Sequence, residues 1–133
     1  METKDIISLS KIRMEHAKQS LDSAQILLKA KMYKDCANRS YYAIFHAMRA
    51  VLAFDGVDMK THKGIISEFR KLYIKTNIFS KESSDIITNI FDVRIDSDYK
   101  DFYIISKKEV EQQLKNAKKF IKEIEKFLTT KYK

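Results

Sequence analysis

The hydrophobic positions of this chain recur at three- and four-residue steps for most of its length, which is the spacing of one face of a helix. In the last segment Val110, Leu114, Ala117, Ile121 and Ile124 alternate steps of four and three residues. Helix breakers are rare, with two glycines and no proline in the chain. The pattern therefore predicts five helices, at about Asp5–Lys31, Lys34–Phe54, Thr61–Tyr73, Ser80–Asp98 and from Ser106 towards the end.

The ends of the predicted helices carry local signals of their own. Thr61 and Ser80 are predicted N-caps, and Ser106 with Glu109 forms the Ser-x-x-Glu pattern of a capping box. Gly56 ends the second helix as a left-handed residue. With 133 residues, short connections and no linker, we expect one all-α domain over residues 1–133, an up-and-down helical bundle.

The second predicted helix has two chemically different faces. Arg39 and His46 are seven residues apart, almost two full turns, so they share a face with Tyr42 and Arg49. The opposite face is apolar and contains Ala37, Tyr41, Ile44, Met48 and Val51. A guanidinium and an imidazole on one rigid face can bind phosphate and move a proton. The spacing alone also suits surface polarity or a histidine buried in a core.

The fourth helix carries a stripe that is apolar in its first half and ends in Arg94 and Asp98. A charged pair that continues a buried stripe indicates a buried or interfacial site. Arg94 and Asp98 are one turn apart and can form an ion pair at the helix end, or Asp98 can orient Arg39 or His46. Tyr99 adjoins the pair and can donate a hydrogen bond or pack.

The net charge of +8 favours association with polyanions. Nine lysines and four glutamates lie in Ser106–Lys133, which suits either a solvated helix face or a nucleic-acid surface. His62 and Lys63 are placed at the start of the third helix, where free backbone N–H groups favour a phosphate. The same two residues also suit a solvated turn.

Several classes of protein are disfavoured. Cys36 is the sole cysteine, so no internal disulfide can form. No apolar run reaches the length of a membrane span, and the N-terminus lacks a secretory signal. No His-x(3)-His or Cys-x(2)-Cys spacing and no glycine-rich phosphate loop is present. We therefore expect a cytoplasmic protein with no membrane association, no metal ion and no cofactor.

Four segments, taken in order, resemble the HEPN domain family, in its UPF0332-like branch often encoded beside minimal nucleotidyltransferases. Arg39–His46 matches the Arg-x(4–6)-His motif, and Lys60–Gly64 opens the third helix as in that branch. Arg94–Tyr99 resembles its Arg-x-x-x-Asp-Tyr element, and a lysine-rich amphipathic helix follows. The resemblance covers about Lys11–Phe127.

The resemblance implies a HEPN bundle that dimerises through the motif helix, and a toxin-like, metal-independent endoribonuclease with a minimal nucleotidyltransferase as antitoxin partner. It gives His46 the role of general acid or base and Arg39 that of holding the scissile phosphate. Asn38 and Ser40 would orient the arginine, and Tyr42 would pack at the interface. Two motifs would meet in the homodimer as a composite site that cleaves RNA to a 2′,3′-cyclic phosphate and a 5′-hydroxyl.

Two positions depart from the family pattern. Met48 stands where the toxin members carry a tyrosine that accepts a nucleotide from the partner transferase, and Ser40 follows the arginine where active members often have Asn, Asp or His. Two other functions therefore remain open. One is a non-catalytic subunit that binds a nucleotide or holds a nucleotidyltransferase, and the other is a general helical adaptor.

Overall fold

A computed structural model of the chain describes residues 2–133, and this part of the sequence is helical with no strand. The predicted all-α class is confirmed, and each predicted helix is present. The helices are α1 (Thr3–Lys29), α2 (Tyr33–Leu52), α3 (His62–Phe69), α4 (Lys81–Tyr99) and α5 (Lys107–Lys131).

Helix α2 is the centre of the bundle and packs against each of the other four helices. More than half of its residues are buried, as expected for a helix that is apolar on most of its surface. A short turn with Lys31 at φ 61° joins α1 to α2. The Ser10 hydroxyl donates to the Ala50 carbonyl at 2.8 Å, so the two helices lie antiparallel, with the start of α1 beside the end of α2.

Helix α5 covers one side of this pair with the periodic stripe seen in the sequence. Val110, Leu114, Ala117, Ile121 and Ile124 are all at most 3% exposed. Burying a large aliphatic side chain stabilises a fold by about 1.5–3 kcal/mol. The stripe therefore explains why a helix with so many lysines docks firmly on the bundle.

The predicted helix caps are present. Thr61 accepts a hydrogen bond from the Gly64 amide, and Ser80 accepts one from the Ser83 amide. Ser106 and Glu109 form the reciprocal capping box of α5. Gly56 has φ 67° and ends a 3₁₀ turn, Ala53–Asp55, that extends α2. These caps fix where α3, α4 and α5 begin.

The third helix differs from its prediction because its last turns widen. The residues Arg70–Ile74 form a π-helical segment after α3, and the Lys75 amide donates to the Arg70 carbonyl at 2.9 Å. Such a turn holds one more residue than an α-helical turn. Apolar periodicity alone does not distinguish the two, so the widening was not predicted.

Candidate active site

The mixed face of α2 lies where α1, α3 and α4 approach it. Arg39, Tyr42, His46 and Arg49 are partly exposed on this face. The apolar face packs into the core, and its residues Ala37, Tyr41, Ile44, Met48 and Val51 are at most 2% exposed. The two faces predicted from the spacing are therefore distinct in the structure.

His46 lies at the middle of the mixed face, between α1 and the start of α3. Its Nδ1 atom is buried and has no hydrogen-bond partner among residues 2–133. Burial lowers the pKa of His46 to about 4, helped by the nearby positive charge of His16, Arg49, Arg39 and His62. At neutral pH the imidazole is uncharged, so it is able to accept a proton.

His16 of α1 lies directly beside His46, with ring centroids 5.6 Å apart and the rings edge to face. Its side chain is exposed to solvent. The Arg13 guanidinium, three residues earlier on α1, donates to the Arg49 carbonyl at 2.9 Å. Arg13 and His16 thus lie opposite Arg49 and His46 across two antiparallel helices. No role was predicted for His16 from the sequence; this mirrored three-residue spacing is the signal that could have found it.

His62, the first residue of α3, joins the same cluster. Its Nδ1 atom and the Tyr41 hydroxyl are hydrogen-bonded at 2.8 Å, and its ring lies 4.2 Å from that of Phe45. Burial lowers the pKa of His62, as do the charges of Arg94 and Arg49. The three histidines of the chain, from three different helices, therefore occupy one region of the surface.

Arg39 is held in place by its neighbours on α2. Its guanidinium donates to the Asn38 side-chain oxygen at 2.9 Å and lies 5.0 Å from the centre of the Tyr42 ring. The predicted support from Asn38 is therefore present as a contact. Ser40 is fully buried. The structure thus places Ser40 in the core.

Arg94 enters the cluster from α4. Its guanidinium lies 4.7 Å from the Tyr41 ring centre and 5.6 Å from that of Tyr42, and its Nε atom is 3.4 Å from an Asp98 carboxylate oxygen. The side chain of Arg94 is 16% exposed. The stripe of α4 that changes from apolar to charged along the helix thus ends in a half-buried site, as predicted.

Asp98 and Tyr99 stay further from the motif. Among residues 2–133, no ion pair links Asp98 to Arg39 or His46, and its partner is Arg94. Tyr99 is 73% exposed. Asp98 is therefore connected to the site only by its ion pair with Arg94, while Tyr99 faces solvent.

Tyr42 connects these groups. Its ring centre lies 5.0 Å from the guanidinium of Arg39 and 5.6 Å from that of Arg94, and 6.0 Å from the ring of His46. Cation–π contacts of this kind contribute about 0.5–2 kcal/mol each. Tyr42 thus contacts both arginines and the histidine and helps to hold the three side chains in one arrangement.

Positive charge dominates the rim of the cluster. Arg13 is 7% exposed, and its burial lowers its pKa. The carboxylate of Asp58 lies 3.5 Å from Arg49 and 4.0 Å from Arg13. One exposed carboxylate therefore faces two arginines, and the region keeps the excess positive charge that attracts a phosphate backbone.

Three lysines of α5 have side-chain partners, and two of these partners are carboxylates. Lys107 pairs with Glu111, Lys119 pairs with Glu82, and Lys118 donates to Gln25. Both interpretations of the basic helix, as a solvated face or a nucleic-acid surface, remain predictions.

Within residues 2–133, no group of three or more His, Cys, Asp or Glu side chains is placed to hold a metal ion. In the same residues, no helix has the length and apolar character that crossing a membrane requires.

The chain is similar to a family model and to several known proteins. The model of the HEPN domain family matches residues 10–127. A Thermotoga maritima protein named "UPF0332 protein" is 30% identical, over 84% of this chain and 85% of its own. Two Methanocaldococcus jannaschii proteins are named "Putative toxin MJ0142" and "Putative toxin MJ0605". The first is 30% identical over 89% of this chain and 80% of its own length. The second is 33% identical over 72% of this chain and 72% of its own length.

Proposed function

Because the chain belongs to the HEPN domain family, we propose that it is a toxin-like, metal-independent endoribonuclease of a toxin–antitoxin pair. The observation that supports this most is the convergence of three histidines and two arginines on one half-buried surface. Relatives named as toxins support the toxin-like assignment. The minimal nucleotidyltransferase antitoxin and the homodimer are parts of the same proposal.

In the proposed reaction, neutral His46 accepts the proton of an RNA 2′-hydroxyl. The freed oxygen attacks the adjacent phosphorus, a new O–P bond forms, and the bond from phosphorus to the 5′-oxygen breaks. Arg39 binds the phosphate and stabilises the charge that develops in the transition state. The products are a 2′,3′-cyclic phosphate and a 5′-hydroxyl.

The departing 5′-oxygen needs a proton, and His16 is the group we assign to supply it. It is a second imidazole beside His46 in the same chain, and its exposure lets it exchange protons with water. His46 ends the step protonated and His16 ends it neutral, and exchange with solvent restores both. The proton transfers therefore do not need a histidine from a second copy.

The first test incubates the wild type and His46→Ala with total RNA in EDTA and maps the cleaved ends. We expect cleavage by the wild type alone, with cyclic phosphates at the 3′ ends. Absence of cleavage by either protein, with both folded, would contradict the proposal and favour a non-catalytic subunit that binds a nucleotide. His46→Ala that fails to fold would be replaced by His46→Gln.

The role of His16 has a separate test. A uridine 3′-phosphate ester of 4-nitrophenol has a leaving group that departs without a proton. We expect His16→Gln to lose activity on RNA but keep it on this ester, whereas His46→Gln loses both. Glu15→Gln, at the neighbouring exposed position of α1, is the matched control. Equal losses on the two substrates would argue against His16 as the acid.

A further inference from the structure

A second concave surface lies between α3, the π-helical segment and α4. It is a cleft of about 570 Å³, within the range of small-molecule sites. Ile66, Ile87 and Phe91 form its apolar part. Ile87 is 1% exposed and Ile66 is 8% exposed, so the floor of the cleft belongs to the folded core.

The walls of the cleft are basic. Lys63, Arg70, Lys71 and Lys75 line it, together with the acidic Asp92. Within residues 2–133, none of these four cations is within 4.0 Å of a carboxylate oxygen. On α5, by comparison, Lys107 and Lys119 are paired with glutamates, while Lys108 and Lys115 have no such partner in the described residues. The cleft therefore combines an apolar floor with positive charge that the protein leaves unneutralised.

The guanidinium of Arg70 is held in a fixed orientation. Its Nη2 atom donates to the Ser84 carbonyl at 3.3 Å and to the Thr88 hydroxyl. Its buried Nε atom has no partner in the part of the chain that the structure describes. A guanidinium has five N–H donors, so donors remain for a ligand while the side chain stays in place.

The π-helical segment explains how these cations come together. In an α-helix, residues five apart point in clearly different directions. The wide turn, with its hydrogen bond from the Lys75 amide to the Arg70 carbonyl, brings residues 70 and 75 close to one line along the segment. Irregular turns of this type are frequent at functional sites.

The cleft adjoins the histidine cluster. Phe91, in the cleft, lies with its ring 6.2 Å from that of Tyr41, and Tyr41 is hydrogen-bonded to His62. Lys63, at the rim, is the residue after His62 in the chain. The two surfaces are therefore neighbours that meet at the start of α3, at His62 and Lys63.

We propose that this cleft binds one nucleotide of the RNA substrate, next to the scissile phosphate, as a subsite of the proposed ribonuclease. The base packs on Phe91 and the two isoleucines, and the adjoining phosphate binds Arg70, Lys71 and Lys75. Stacking on an aromatic ring suits any base, since each base has a π-face. The inference rests on the proposed function, because the occupant is part of the RNA that would be cleaved.

The test measures binding apart from cleavage. A fluorescent single-stranded RNA with 2′-O-methyl groups, which cannot be cleaved, is titrated into the wild type and followed by anisotropy. We expect Lys71→Ala/Lys75→Ala to weaken binding on the order of tenfold and to lower the salt slope by about 0.7 for each phosphate that is no longer neutralised. Lys108→Ala/Lys115→Ala, at two exposed positions of α5, is the control with the same change of charge.

A second variant tests the apolar floor. Phe91→Leu keeps an apolar side chain and removes the ring, and we expect binding to weaken about fivefold with a nearly unchanged salt slope. Thermal unfolding checks that each variant remains folded. A variant that unfolds is replaced by Lys71→Gln or by Phe91→Met.

The outcomes separate the cleft from the proposed function. Equal weakening in the cleft and α5 double variants would overturn the cleft proposal while leaving wild-type cleavage intact. If the wild type does not cleave RNA, the proposed ribonuclease activity is contradicted. The binding measurements on the variants still test whether the cleft binds RNA. Binding of free AMP or UMP without binding of the RNA would overturn the RNA subsite in favour of a free nucleotide.

Discussion

His46 shows how the surroundings of one residue determine its chemistry. Its ring is half-buried, and the guanidinium groups of Arg49 and Arg39 and the imidazoles of His16 and His62 all disfavour a proton on it. Each of these effects disfavours the protonated form, so the pKa falls to about 4. At neutral pH the His46 imidazole is therefore uncharged with a free lone pair, and it is a weaker base than an ordinary histidine.

The depressed pKa of His46 predicts a pH dependence of stability. The unfolded chain binds a proton at His46 near its ordinary pKa of 6.5, while the folded chain does so near 4. The free energy of unfolding should therefore fall as the pH drops from 6.5 to 4, and this contribution is flat above 6.5. Urea unfolding at several pH values should show a smaller fall in His46→Gln than in the wild type. Parallel curves would contradict the shift.

Arg39→Lys should lower kcat/KM for RNA on the order of tenfold or more, because lysine cannot offer a bidentate fork to phosphate. Lysine also lacks the planar group that lies against Tyr42. Initial rates on a short RNA provide the measurement. Arg49→Lys is the matched comparison, since the partner of Arg49 is a single carboxylate that a point charge can satisfy. Full activity in Arg39→Lys would argue against phosphate binding by this residue.

Among the helices, α3 couples local backbone geometry to the site. It is eight residues long, and its Thr61 cap fixes the position of His62. A Cβ added at Gly64 would lie 2.9 Å from both the Thr61 hydroxyl and the Met59 side chain. The position of His62, and with it the arrangement of the cluster around His46, therefore depends on Gly64.

Gly64→Ala should destabilise the fold by about 1 kcal/mol, the usual value of a lost N-cap, and should also lower RNA cleavage by moving His62. Gly56→Ala is the control, because its φ of 67° gives a strain of about 1–2 kcal/mol in a turn beside Arg13 and Asp58 and not at the cap of His62. We expect similar losses of stability and unequal losses of activity. Equal activity in the two variants would show that the position of His62 does not affect cleavage.

The helices, their caps and the two faces of α2 follow from local spacing, and the structure confirms them. Arg94 was also expected at a buried site, because its stripe begins apolar. His16 and the π-helical turn were not predictable in this way. The pairing of His16 with His46 depends on the antiparallel register of two helices thirty residues apart in sequence. The widened turn depends on packing that leaves the apolar pattern unchanged.

At the scale of the whole molecule, the site requires α1, α2, α3 and α4 to be docked together. The cluster takes one histidine from each of the first three helices and an arginine from the fourth. The homodimer with a composite site stays a prediction, which the resemblance to HEPN proteins supplied. The structure places a second imidazole, that of His16, beside His46 in one chain, and with the roles proposed above both proton transfers take place within that chain.

Mixing two inactive variants distinguishes these arrangements. Arg39→Ala keeps His46 but lacks the arginine, and His46→Ala keeps Arg39 but lacks the histidine. A dimer of one chain of each has a complete site only if the two chains contribute residues to the same site. We expect no recovery of RNA cleavage on mixing, because each proposed site lies within one chain. Recovery of activity would support the composite site, and analytical ultracentrifugation of the mixture would report the dimer in either case.

The gathering of the three histidines into one cluster has a practical consequence. The chain contains three histidines and no tryptophan, so every imidazole C–H resonance in its proton NMR spectrum arises from the cluster. These isolated signals form a native spectroscopic label. Adding RNA, a nucleotide or a candidate antitoxin would report directly on this surface, without isotopes, a dye or an engineered reporter.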